Sequence, residues 1–206
     1  MTQDIIKDSY TTVDAPLDEP VLFKDKGSKF YGYVYHIESE DDVKTLVQAL
    51  KTEHYSARHH CYAWKMGHDK VSYRANDDGE PSGTAGVPIY NQILSSGLTD
   101  VLVVVVRYFG GILLGTSGLI NAYKNTAMMA LDEVSRRECI VERDFIAEFD
   151  YPQMSAVMRV MKDYDLRIRL QDFTGRCRLH FSVRLSMVER VDKAFEEMYM
   201  VRLLEE

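Results

Sequence analysis

The run VLVVVV within DVLVVVVR, residues 100–107, constrains the architecture more than any other part of the chain. A strand with no polar side has to be covered on both faces, so this segment predicts the interior of a sheet with packing above and below it. It is far too short to cross a bilayer. With 206 residues, 46% of them hydrophobic, the chain can fill the core that such a sheet needs, as one large domain or two small ones. A net charge of -7 excludes a protein that coats nucleic acid wholesale, and leaves room only for a local basic face. Cys61, Cys139 and Cys177 are odd in number and far apart, which suggests neither a disulfide framework nor a clustered zinc motif. MTQDIIKDSY lacks the basic and apolar regions of a secretory leader, so a reducing, cytoplasmic setting away from membranes is expected.

The periodicities place the other elements around that strand. Residues 1–20 are polar with two prolines and read as a loose arm or edge segment. FYGYVYH, 30–36, reads as a strand. SEDDVKTLVQALKTEH, 39–54, reads as a helix capped by Ser39, with Val43, Leu46, Val47 and Leu50 on one face. CYAWKM and VSYRA form a hairpin about Gly67, and helices are expected over 89–96, closed by Gly97, and over 116–134. The texture changes near 138–143, which divides a first domain, 1–140, from a second, 141–206. The second reads β-α-β-β-α-β, with one helix starting at Pro152 and another at a Ser186–Glu189 capping box. That order describes a ferredoxin-like sheet with both helices on one face, so the chain is α+β.

Two glycine-rich loops carry the candidate chemistry. In DDGEPSGTAGVP, 77–88, Ser82 or Thr84 is expected to cap the helix that follows, leaving the amides of Gly83 to Gly86 open to an anion. In RYFGGILLGTSG, 107–118, Arg107 ends the buried strand, Gly110 and Gly111 turn the chain, and Thr116 or Ser117 caps the next helix before Gly118. Both helix starts are expected to converge on one pocket for negative groups. A P-loop is excluded, because Thr116 rather than Lys follows Gly115. The alternative is that these glycines only permit tight helix–sheet packing. Asp77, Asp78 and Glu80 would either hold a hydrated Mg²⁺, pair with Arg74 or Arg107, or cap the helix. His59 and His60 point to opposite faces of a strand and cannot chelate one ion together. His59 and Cys61 share a face, but no third residue is visible to orient a nucleophilic pair.

A basic face stands apart from these loops. In RCRLHFSVR and LRIRLQ, Arg167, Arg169, Arg176, Arg178 and Arg184 alternate with apolar residues and fall, with His180 and Gln171, on the side away from the helices. Such open sheets read single-stranded RNA. Without aromatics there, the contact would be to phosphate. The alternative is that Glu148 and Asp150, of the same parity, neutralise these arginines.

ARHHCYAW, DDGEPSGTAGVP and VVVVRYFGGILLGTSGLINAY, together with KGSKF at 26–30, resemble the signature blocks of the IMPACT/YigZ family. The resemblance covers the whole chain. It implies a first domain of the ribosomal protein S5 domain 2-like fold and a ferredoxin-like second domain similar to the last domain of the translocation factor EF-G. The matched positions include His60, Asp77, Asp78, Gly79, Glu80, Pro81, Gly83, Thr84, Gly86, Arg107, Tyr108, Gly110, Gly111, Gly115 and Gly118, with Ser117 where the family often has Gly. Eukaryotic members restrain the general-control response through the activator of an initiation-factor kinase and carry an extra RWD domain, for which this chain has no room. The resemblance implies a link to translation and, by analogy, a protein partner of the translation stress pathway. Taken with the anion-binding loops, the expectation is a translation-linked regulator that binds a phosphate-bearing partner, RNA or a ribosomal element. No cofactor beyond Mg²⁺ at the acidic run is implied. An enzyme acting on a small phosphorylated or nucleotide substrate is the alternative by analogy with small-molecule kinases of the S5-like fold, and an interaction module without a ligand is the third reading.

Overall fold

A computed structural model describes residues 8–206. The chain divides into two compact units, residues 10–139 and residues 140–206, the latter joined by Asp8 and Ser9.

The first unit runs β1 (Ser9–Val13), β2 (Val21–Asp25), β3 (Ser28–His36), α1 (Glu40–Glu53), β4 (His59–Met66), β5 (Ser72–Asn76), α2 (Gly86–Ser96), β6 (Val101–Tyr108), α3 (Gly115–Glu133) and β7 (Arg136–Ile140). Five strands form one antiparallel sheet in the order β2-β3-β6-β4-β5, while β1 and β7 pair separately. As the apolar run requires, β6 is central and covered on both sides. Val101, Val103 and Val105 pack with Ile89 and Ile93 of α2 and with Tyr123 and Ala127 of α3. Leu102, Val104 and Val106 pack with Val43, Val47 and Leu50 of α1.

Local signals explain the helix ends. Ser39 accepts from the Asp42 amide at 3.2 Å and Asp42 returns a bond to the Ser39 amide at 2.9 Å, so α1 starts on a capping box. Gly97, at φ 72°, ends α2 in the left-handed region. The expected arm over 1–20 is corrected in part. Residues 1–7 lie outside the described residues, but β1 buries Thr12 and Val13, because the Thr12 hydroxyl reaches His36 Nδ1 at 3.0 Å and the Asp100 carbonyl at 3.3 Å.

The second unit runs β8 (Glu142–Phe149), α4 (Met154–Asp163), β9 (Arg167–Asp172), β10 (Cys177–Arg184), α5 (Val188–Glu196) and β11 (Val201–Glu205). Its antiparallel sheet has the order β11-β8-β10-β9. Phe145, Phe149, Leu179 and Phe181 meet Val157, Met161, Val191 and Phe195 of the helices in one core. Two expectations fail here. The Ser186–Glu189 box is not made: the Ser186 hydroxyl bonds the Asp8 carboxylate instead, and a 3-10 turn precedes α5. Strict alternation fails in β9, where the register slips between His180 and Phe181. Leu170 pairs with His180 and Ile168 with Phe181, so a bulge at Arg169 turns Leu170 outward, 59% exposed, and puts Gln171 opposite buried Leu179. No helix among the described residues is long and apolar enough to cross a membrane.

Candidate functional site

The start of α2 is closed by the chain itself. Asp77 accepts from the amide of Gly83 at 2.9 Å, of Ala85 at 3.0 Å and of Gly86 at 2.8 Å. The Thr84 amide and hydroxyl both donate to the Pro81 carbonyl. The expectation that Gly83, Thr84 and Gly86 present open amides is therefore corrected: a carboxylate a few residues upstream folds back and takes the place an anion would occupy. Neither Ser82 nor Thr84 caps the helix. Gly86 serves packing, since a Cβ there would lie 2.5 Å from the Asn76 nitrogen.

The start of α3 differs. Leu114 is its N-cap, no side chain caps it, and no acid sits in its first turn. Thr116 and Ser117 lie inside the first turn rather than capping it, so the expected hydroxyl cap is corrected too. Helix geometry leaves these first amides without intrahelical acceptors. Leu114, Gly115 and Thr116 line a cleft of about 400 Å³, whose other walls are Arg58, His59, Glu80, Pro81, Arg107, Phe109, Leu113 and Leu119. That is the size of a small-ligand site.

Its floor is an ordered ionic network. Arg107 Nη1 donates to Glu80 Oε1 at 2.6 Å, and the Tyr123 hydroxyl donates to the same oxygen at 2.8 Å. Both charged side chains are almost fully buried, at 6% and 4% exposure. Among the described residues, Arg107 Nε is buried with no hydrogen-bond partner. The guanidinium is also held by the rings of Phe30 and Phe109, 5.5 and 5.6 Å away. His59 lies directly across from Arg107 in the β4–β6 ladder. Its Nδ1 donates to the Asp78 carbonyl at 2.9 Å, which leaves Nε2 facing Glu80 Oε1 at 3.9 Å. Asp78 makes this possible by adopting φ 40°, in the left-handed region.

Cys61 belongs to the packing beneath. Its Sγ lies 2.9 Å from the Asp77 carbonyl oxygen and 3.3 Å from the Tyr123 hydroxyl, and burial pushes the thiol well above its ordinary pKa. That disposes of the Cys–His nucleophile. Burial likewise pushes the Tyr123 hydroxyl far up, so it stays a donor.

The remaining expected site residues scatter. His60 and Tyr108 point to the α1 side of the sheet, where Tyr108 bonds His54 Nδ1 at 2.8 Å. Asp78 accepts from the His60 amide at 2.7 Å and from Lys51 at 3.0 Å. Burial works against its ionisation, yet these two donors hold its carboxyl below the usual range. Asp77, Asp78 and Glu80 are thus each engaged in a different place. Asp77 takes the helix-capping alternative and Glu80 the Arg107-pairing one, and the described residues contain no group of three or more metal-ligating side chains. Gly110 is structural: a Cβ there would fall 1.9 Å from the Gly27 carbonyl carbon, locking the RYFGG loop onto KGSKF. Gly111 and Gly115 take φ 86° and 71°, and Gly118 packs near Leu114.

On the basic face the arginines take the self-neutralising arrangement that was the alternative reading. Arg178 pairs with Glu148 at 2.8 Å, Arg169 with Asp144 at 2.6 Å, Arg176 with Asp150 at 3.9 Å and Arg184 with Asp8 at 2.5 Å. Among the described residues only Arg167 of the five lacks a carboxylate within 4 Å. The carboxylates on β8 share the outward parity of the arginines, so the surface largely neutralises itself. Sequence reasoning missed Arg58, Tyr123 and Phe109 as neighbours of the cleft and set His59 aside. The available signal was parity: His59 shares a sheet face with Arg107 once β4 and β6 are paired.

An α+β protein of two antiparallel sheets, with a small cleft floored by a buried Arg–Glu pair, is the class that this geometry defines. The chain belongs to the IMPACT family. The family model described as the Impact N-terminal domain matches residues 26–131. An IMPACT family member of Haemophilus influenzae is 36% identical over 189 residues, covering 89% of this chain and 91% of its own. The IMPACT family member YigZ of Escherichia coli is 35% identical over 150 residues, covering 72% and 74%. A crystal structure of a hypothetical protein superposes at TM-score 0.68 with 30% identity, over 96% of this chain and 97% of the other.

Proposed function

We propose that this IMPACT-family chain is a translation-linked regulator that holds the phosphate-bearing part of a partner in the cleft of its first unit. The observation that carries the binding half is Arg107, buried beside an uncapped helix start with its Nε lacking a hydrogen-bond partner among the described residues. An oxyanion in the cleft would meet the Arg107 guanidinium, Arg58 at the rim, and the amides of Gly115 and Thr116. The link to translation rests on the family resemblance. RNA or a ribosomal element fits the reading through its phosphates, engaged at the cleft rather than at the paired arginines of the second unit. The β-α-β-β-α-β order supports a ferredoxin-like reading of that unit, and we keep the S5 domain 2-like reading for the first.

Isothermal titration with inorganic phosphate and with short single-stranded RNA tests this. Arg58→Ala should weaken binding several-fold and leave the fold intact, because Arg58 is exposed. Arg178→Ala should change nothing. Equal affinity of wild type and Arg58→Ala would remove the cleft from the account.

One observation favours an enzyme as the second reading: His59 Nε2 is left free in the cleft beside Glu80. It would serve as a general base. His59→Gln separates the readings, since a binding site would keep phosphate affinity and a hydrolase would lose turnover of phosphoesters.

A further inference from the structure

The open face of the second unit's sheet, whose arginines are mostly held in ion pairs, has a pattern of its own. Cross-strand partners share a face, so the registers can be read as rows running from β11 through β8 and β10 to β9. One row is Arg202, Glu148, Arg178 and Asp172. The next is Leu204, Ile146, His180 and Leu170. The bulge at Arg169 puts Leu170 into that second row, where strict alternation would have put a polar residue. Leu170 and Leu204 are 59% and 41% exposed, and neither joins the core beneath the sheet.

The charges of the first row alternate in sign. Reversed end for end, that row is its own complement. A twofold axis parallel to the strands, between β8 and β10, makes this reversal when two such sheets meet face to face. It sets Arg202 over Asp172 and Glu148 over Arg178. In the apolar row it sets Leu204 over Leu170 and Ile146 over His180. In the row beyond, Asp144 meets Ser182, a pair already compatible within one chain at 2.9 Å. A twofold axis across the strands does not work, because it lays Glu148 over Asp144.

We propose that this face docks a second copy of the chain, forming an isologous face-to-face dimer through the sheets of the second unit. The geometry is that of aligned sheet packing, and each patch meets itself, as a closed twofold requires. The apolar contribution is one narrow row per copy, so the dimer dissociates on dilution and weakens as salt screens the charged rows.

Sedimentation velocity over a micromolar-to-millimolar concentration series, with light scattering for mass, tests the proposal on the full chain. The wild type should shift to dimer mass as concentration rises. Leu170→Glu and Leu204→Lys should each stay monomeric with unchanged far-ultraviolet circular dichroism, since both positions are exposed. An equimolar mixture of the two variants should recover the dimer. There the introduced lysine faces the introduced glutamate at one contact, and the other contact is the native leucine pair. Within one chain these positions lie on opposite edge strands, about 14 Å apart, so recovery reports contact between chains. A wild type that stays monomeric at every concentration overturns the proposal, including where the face instead retains RNA or another protein. Variants that dimerise like the wild type, or a mixture that stays monomeric, overturn it equally.

Discussion

Asp77 and Asp78 stand side by side and do different work. Asp77 closes the start of α2 with three amide bonds, while Asp78 faces the other side of β4 and anchors Lys51 and the His60 amide. Asp77→Ala should therefore lower stability by about 2 kcal/mol or more, as loss of a charged cap does, measured by urea unfolding. His60 gives a pH test. Burial lowers its pKa from 6.5; Asp78 opposes this, while Lys51 adds to it. The unfolded chain then binds the proton more readily, so stability is complete above the unfolded value and falls as pH drops through about 6.5. His60→Phe should flatten the fall below about pH 6.5, and an unchanged slope would contradict the assignment. Asp78, with its lowered pKa, adds a loss only at still lower pH. At this scale the sequence showed which residue types gather near residue 77. It did not show which carboxylate turns to which side of the strand, because backbone turns at φ 40° and 86° decide that.

Elements were legible wherever one pattern dominated. The two-sided burial of β6, the capping box of α1 and the β-α-β-β-α-β order of the second unit all follow from apolar periodicity and capping residues. β1 and β7 were not legible, since short polar strands that pair with each other leave little apolar signal. The bulge in β9 was missed for a related reason: an edge strand has one partner, and a slip there costs little. Glycines of like appearance also separate only in the structure. Gly110→Ala should cost roughly 3 kcal/mol or more through its clash with the Gly27 turn. Gly111→Ala should cost about 1 kcal/mol, from backbone strain alone. Thermal unfolding of the two variants makes the comparison, and equal losses would mean that the loop does not lock onto KGSKF.

At the scale of the whole molecule, each unit has its own core, and its sheet face or cleft can be tested separately. The candidate site was half legible. Both glycine-rich loops were found, and one of the two expected helix starts does line a cleft with Arg107. The other is filled by Asp77, and Arg169, Arg176 and Arg178 are held by Asp144, Asp150 and Glu148, because acidic side chains close in sequence or in register reach those groups first. The most direct measurement is a titration of isotope-labelled protein with inorganic phosphate, following backbone amide and arginine side-chain resonances. The account predicts saturable shifts at Gly115, Thr116 and the Arg107 side chain, and none at Gly83, Ala85 and Gly86. Saturable shifts at the latter three, or confined to Arg176 and Arg178, or no saturation anywhere, would contradict it.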